Sequence, residues 1–183
     1  MLDFNHIYKV LASSILETIS PTRCVACDEP GSVLCEHCAA HLPHIDLAFA
    51  CPRCGAPFGH ALCTECPMPG SEAALLHPEK AFPFTRARSA LSFEGGAKKV
   101  IRTYKDGDEL RLDAVIASFI CSAIRGRNET VAQSSCLFPQ VRGMVGDWSQ
   151  WADGLVSVPA SPEALLRRGF DHMERVACIV ARR

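Results

Sequence analysis

The chain has 183 residues, 48% of them apolar, and 19 Lys and Arg stand against 20 Asp and Glu for a formal net charge of −1. That length holds one α/β domain plus a small module, and the charge excludes a uniformly basic nucleic-acid-binding surface while leaving room for a local patch. The longest uncharged stretch of the apolar helix region, Ala114 to Ile124, falls far short of the roughly 20 residues of a membrane span, so no span is expected.

In chain order, residues 1–20 read as an amphipathic N-terminal helix, with Ile7, Val10, Leu11, Ile15 and Leu16 at helical spacing and Ser20-Pro21 ending it. Asp3, His6, Lys9 and Glu17 interrupt the apolar run that a secretory signal needs. A cytoplasmic location is therefore expected. With Lys9 its one cation, the helix is expected to pack on the protein and not on a membrane.

Residues 21–68 hold four Cys-x-x-Cys pairs: Cys24 and Cys27, Cys35 and Cys38, Cys51 and Cys54, Cys63 and Cys66. A tetrahedral zinc ion takes four soft ligands, and each pair supplies two thiolates, so four pairs make two complete sites. Gly55 follows the third pair, where a positive φ aims backbone N–H groups at bound sulfur; Asp28, Ala39 and Pro67 stand at that place in the others. Disulfides, a dithiol redox site and buried apolar cysteines are the competing readings, and a reducing cytosol favours metal. Loop economy pairs adjacent knuckles into two tandem ribbons, each holding one structural zinc ion. Eight cysteine ligands leave no open coordination position for Lewis-acid chemistry. His37, His41, His44 and His60 lie nearby and read as solvated loop residues.

Residues 69–83, rich in Pro, Gly, Ser and Ala, read as a linker. From residue 84 a second domain is expected, opening with a strand over Arg86–Phe93 closed by Glu94-Gly95-Gly96. A helix from Ala97 carries Lys98, Lys99, Arg102 and Lys105 and stops at Asp106-Gly107-Asp108; a second follows from about Glu109 to Ile124, with Leu112, Val115, Ile116, Phe119 and Ile120 on one face. The basic run is either a solvated face or a contact for phosphate or nucleic acid. Residues 127–150 look like an irregular insertion, and Trp148 and Trp151 read as packing residues. Gly154 to Pro159 suits a buried parallel strand, followed by a loop with Arg167-Arg168-Gly169 and a final helix through Ala181. Two arginines at the mouth of a strand–loop–helix unit suggest an anion site.

Tandem Cys-x-x-Cys ribbons, the Ser89-to-Gly95 strand end, Ile101-Arg-Thr-Tyr-Lys105-Asp-Gly-Asp, Val156-Ser-Val-Pro159 and Arg167-Arg168-Gly169-Phe170-Asp171-His172 together resemble the ComF family of competence-associated, phosphoribosyltransferase-like proteins. The resemblance spans nearly the whole chain. It implies an α/β fold in which tandem zinc ribbons precede a type I phosphoribosyltransferase-like domain over residues 84–183, and a link to uptake of single-stranded DNA. Lys105 and Arg168 map onto family motifs and are the phosphate-binding candidates. Asp171 and His172 replace the Asn-Gln with which the family's Arg-Gly-Phe segment commonly continues. Nothing after Val156 supplies the paired acids and Thr/Gly-rich loop that hold phosphoribosyl pyrophosphate, so the chain resembles a C-terminally truncated or interrupted member. It is expected to lack transferase activity, with no catalytic residue assigned. A zinc-ribbon module binding a competence protein or single-stranded DNA is the alternative, and a dithiol redox protein a third.

Overall fold

The computed structural model describes residues 21–59, 63–66, 84, 86–126, 147–148 and 152–183. The expected N-terminal helix, the linker, most of the insertion, His60 and Trp151 lie outside these residues.

Five helices are present among the described residues: α1 (Glu36–Ala40), α2 (Gly95–Asp106), α3 (Leu112–Arg125), α4 (Pro162–Arg168) and α5 (His172–Ala181). Helix α2 buries Ala97, Val100 and Tyr104, a spacing of three and four that puts them on one face and turns Lys98 and Arg102 away from it. Helix α3 stops where Gly126 takes a left-handed φ of 67°. The sequence reading anticipated one final helix, and the chain instead makes two. Ser161 caps α4 by accepting from the Ala164 amide, with Pro162 in the first turn, and Gly169 at φ 75° ends it. Asp171 then caps α5, its carboxylate accepting from Met173 N and Glu174 N, and also from Ala160 N at 2.8 Å. The amides of Ala160, Glu174 and Met173 hold this carboxyl below its ordinary range.

Helices α3 and α5 run side by side in the same direction. Arg175 meets Asp113 at 2.7 Å near their starts, and Arg125 donates to Arg183 O at 2.6 Å at their ends. Tyr104 ties α2 across to them, its hydroxyl donating to His172 O at 2.9 Å. The core comprises Val100, Tyr104, Leu112, Ala117 and Val176. Val25, Val33 and Leu34 of the first cysteine ribbon pack against the same cluster. Ribbon and helices therefore share one apolar interior, reinforced where Lys99 donates to Ala26 O at 3.2 Å and Arg111 to Thr22 Oγ1 at 2.6 Å.

The two expected strands are extended but build no sheet among the described residues. The first pairs with the loop between the two ribbons: Ile45 N donates to Ala90 O and Ser92 N to Pro43 O, around a single His44–Leu91 bridge. Its neighbour is a loop rather than a strand, so the pairing stops after one bridge. The second, over 154–159, has no backbone partner among the described residues, and Val156 is 92% exposed where a buried strand was expected. Among the described residues, this region consists of helices and extended segments.

Leu112 has no exposed surface at the centre of this interior. Leu112→Ala should destabilise the chain by about 3 kcal/mol, whereas Leu166→Ala, at an 88% exposed position, should change stability by less than about 0.5 kcal/mol. Chemical denaturation followed by circular dichroism measures both.

Candidate metal centre

Each ribbon begins with the same knuckle. Cys24 N donates to Glu29 O and Asp28 N to Cys24 O, both at 2.8 Å; in the second ribbon Cys51 N donates to Ala56 O at 2.8 Å and Gly55 N to Cys51 O at 2.9 Å. Asp28 and Gly55 take matching left-handed φ values of 68° and 74°. The missing glycine of the first knuckle is thus replaced by an aspartate in the same strained conformation, one of the residue types that best tolerates it. Arg23 braces this turn by donating to Asp28 O at 2.9 Å and Asp28 Oδ2 at 3.3 Å. Gly55 has a second reason to be glycine, because a Cβ there would sit 3.0 Å from the Arg88 Cα.

The second knuckle of the first ribbon departs from a simple hairpin. Cys35 is the N-cap of α1, its sulfur accepting from Cys38 N, so a single helical turn presents Cys35 and Cys38. His41 Nδ1 lies 2.7 Å from His37 O and His44 Nε2 2.9 Å from Ala39 O, so these rings meet backbone carbonyls of the ribbon and are not among the clustered ligand atoms.

The eight sulfurs converge in two groups, Cys24, Cys27, Cys35, Cys38 and Cys51, Cys54, Cys63, Cys66, and within each all ligand atoms lie inside 4.8 Å of one another. Cys27 and Cys35 sulfurs are 3.8 Å apart, Cys51 and Cys66 3.8 Å, and Cys54 and Cys63 3.6 Å. A tetrahedron with zinc–sulfur bonds of about 2.3 Å has edges of about 3.8 Å. A disulfide would hold its sulfurs at about 2.05 Å. The spacing therefore fits two structural zinc ions, with adjacent knuckles paired.

Electrostatics points the same way. Burial opposes ionisation of Cys24, but the amides of Cys35, Cys27 and Ala26 overcome it and bring the thiol to about 6. Cys51 behaves alike: burial is outweighed by the amides of Cys54 and Arg53, which leave it at about 7. With those sulfurs carrying charge, neighbouring thiols resist losing theirs. Contacts with Cys27 and Cys35 push Cys38 up to about 12, and burial followed by Cys54 and Cys63 pushes Cys66 higher still. Only a bound cation makes four adjacent thiolates compatible.

The phosphate-binding candidates Lys105 and Arg168 come together at the far end of α2. Arg168 donates to Asp106 at 3.2 Å and approaches His172 Nδ1 at 3.4 Å, and its Nε is buried without a partner. Burial, then the charges of Lys105 and Arg168, hold His172 below its ordinary range, which keeps its ring neutral. Asp106 and His172 occupy much of the Arg168 guanidinium, and Asp171 fills the N-terminus of α5. Sequence reasoning missed the contacts of Arg168 with Asp106 and His172. Trp148 packs as expected, with the Arg88 guanidinium 4.5 Å from its ring centroid.

The fold and these two sites define a zinc-ribbon module with paired tetrathiolate centres. The family model of the double zinc ribbon domain matches residues 15–68, which span both sites. No curated protein and no solved structure matches the chain.

Cys51→Ser should lower bound zinc from two ions per chain to one, read by elemental analysis, while the first site stays loaded. Retention should also depend on pH. Zinc displaces the protons that Cys38 and Cys66 otherwise hold, so affinity rises with pH and falls as pH drops. Chelator competition at about pH 6 should extract zinc more readily than at about pH 8.

Proposed function

We propose that the chain is a ComF-like double zinc ribbon protein that handles single-stranded DNA in competence-linked uptake, binding it without transferring a phosphoribosyl group. The observation that carries this reading is a stripe of cations on α2. Lys98, Arg102 and Lys105 fall at i, i+4 and i+7 on a face flanking the buried Ala97, Val100 and Tyr104, with Arg102 exposed and Lys98 and Lys105 partly exposed. Lys98 also lies over the exposed Phe93 ring, 5.9 Å from its centroid, which places an aromatic surface at one end of the stripe. Cations beside an exposed ring suit a single strand, whose phosphates pair with charge and whose bases stack. The stripe is held firm by the zinc ribbon behind it, through Lys99 and the shared core.

The zinc ions in this reading are architectural, because tetrathiolate coordination is closed to water and substrate. The loop that grips phosphoribosyl pyrophosphate is missing from the 183 residues, and Arg168 is engaged by Asp106 and His172. A second reading, an adaptor for a competence protein, draws on the exposed apolar residues Leu155, Val156, Val158, Leu165 and Leu166.

Fluorescence anisotropy with a labelled oligothymidylate decides between these. Three cations should give a log–log salt slope of about −2, and Lys98→Ala or Arg102→Ala should each reduce its magnitude by about 0.7. Absent or salt-insensitive binding would refute the DNA reading. The pure chain should release no pyrophosphate from phosphoribosyl pyrophosphate.

A further inference from the structure

The two metal centres share ligands, knuckles and amide contacts, yet they differ in cover. Cys27 and Cys54 are twins: each is the second cysteine of its first knuckle, and each sulfur accepts from one amide, that of Glu29 or Ala56. Cys27 is nevertheless exposed while Cys54 is half-buried, and among the eight ligand cysteines Cys27 is the exposed one. The difference comes from what lies against the second site. Gly59 brings its backbone over that site so closely that a Cβ would lie 2.8 Å from Cys51 Cβ and 3.2 Å from Cys63 Sγ. The 87–89 segment covers Gly55, with Ala87 N donating to Arg53 O at 2.7 Å. In the first ribbon Gly31 stands where the second carries Phe58, each with positive φ, but a Cβ on Gly31 would meet nothing within 4 Å. The matching turn of the first ribbon leaves Cys27 open.

We propose that Cys27 is a peroxide-sensitive thiolate whose oxidation releases the zinc ion of the first site and loosens the helical core. Thiolate character and solvent access together set susceptibility, and a metal-bound sulfur keeps its thiolate character. Attack of the Cys27 sulfur on hydrogen peroxide forms an S–O bond, breaks the O–O bond and expels hydroxide, leaving a sulfenic acid. The Cys35 sulfur, 3.8 Å away, then attacks the oxidised sulfur and expels a second hydroxide, forming the disulfide. Two thiolates lose two electrons, and one peroxide becomes two hydroxide ions. Two ligands remain, too few for a structural site, and the zinc ion departs to water.

Release is felt beyond the ribbon because, among the described residues, it is this ribbon whose side chains pack on the helical interior. Val25 follows Cys24 directly, Val33 and Leu34 precede Cys35, and all three pack on the cluster of Val100, Tyr104, Leu112, Ala117 and Val176. The second site joins the helices through extended backbone and through Arg88, which donates to Ala123 O and Ile124 O at the end of α3.

The test treats the zinc-replete full chain with hydrogen peroxide in the presence of a chromophoric chelator, maps disulfides by mass spectrometry and follows the helical signal by circular dichroism. The expected result is loss of the first zinc ion together with a Cys27–Cys35 bridge and a weakened thermal transition of the helices. Cys27→His, which offers a ligand zinc accepts but no sulfur, should abolish that early release. Release from both sites at one rate, a first bridge within Cys51–Cys66, or unchanged early release in a Cys27→His chain loaded with two zinc ions would each overturn the proposal. If Cys27→His binds fewer than two ions, the order of bridges in the unaltered chain decides.

Discussion

Four cysteine sulfurs gathered within 4.8 Å of one another are the constraint from which the rest of this molecule follows. Without a cation such a group is self-repelling once the first sulfurs ionise; with zinc it becomes a rigid corner that a short chain could not otherwise make. Residues 21–66 form one five-residue helix and isolated bridges among their described positions, so little besides metal fixes their path. The apolar residues beside the cysteines are usable for packing only because the metal fixes where they point. Metal binding and folding are in this sense one event.

The two ribbons put that rigidity to different uses. The first contributes Val25, Val33 and Leu34 to the interior beneath α2, α3 and α5, so that metal and apolar core support each other. The second holds the backbone of 86–89 in place. Through that segment it positions Arg88, which donates to the Ala123 and Ile124 carbonyls at the end of α3, the first of them also reached by the Gly126 amide. Hydrophobic burial dominates at one junction and polar capping at the other. The spacing that buries Ala97, Val100 and Tyr104 leaves Arg102 exposed on another face of α2.

Local conformation also explains how substitutions in recognisable motifs are accommodated. Asp28 adopts the left-handed turn that Gly55 adopts, at a modest conformational cost that its short polar side chain keeps small. Asp171 uses both carboxylate oxygens, one on two amides of α5 and the other on Ala160 N, and so anchors the extended 154–160 segment to a helix start. Arg168, a phosphate-binding candidate from sequence, directs two of its nitrogens at Asp106 and His172.

Ligand identity, the number of metal sites and the extent of α2 were legible in the sequence because each rests on short-range rules: two cysteines per turn, adjacent turns per site, apolar residues at helical spacing. The short helix α4 stands where the sequence reading placed a loop, although Ser161-Pro162 at its start and Gly169 at its end mark it. What sequence could not supply was partnership over distance. Whether Arg86–Phe93 and Gly154–Pro159 join a sheet depends on neighbours, and among the described residues the first found a ribbon loop while the second found none. Likewise Cys27 and Cys54 hold the same place in their motifs, yet Cys27 is exposed and Cys54 half-buried, and it is beside Cys54, at Gly55, that the 87–89 backbone packs. Spacing fixes which atoms can bind a metal; the approach of distant backbone fixes which of them solvent can reach.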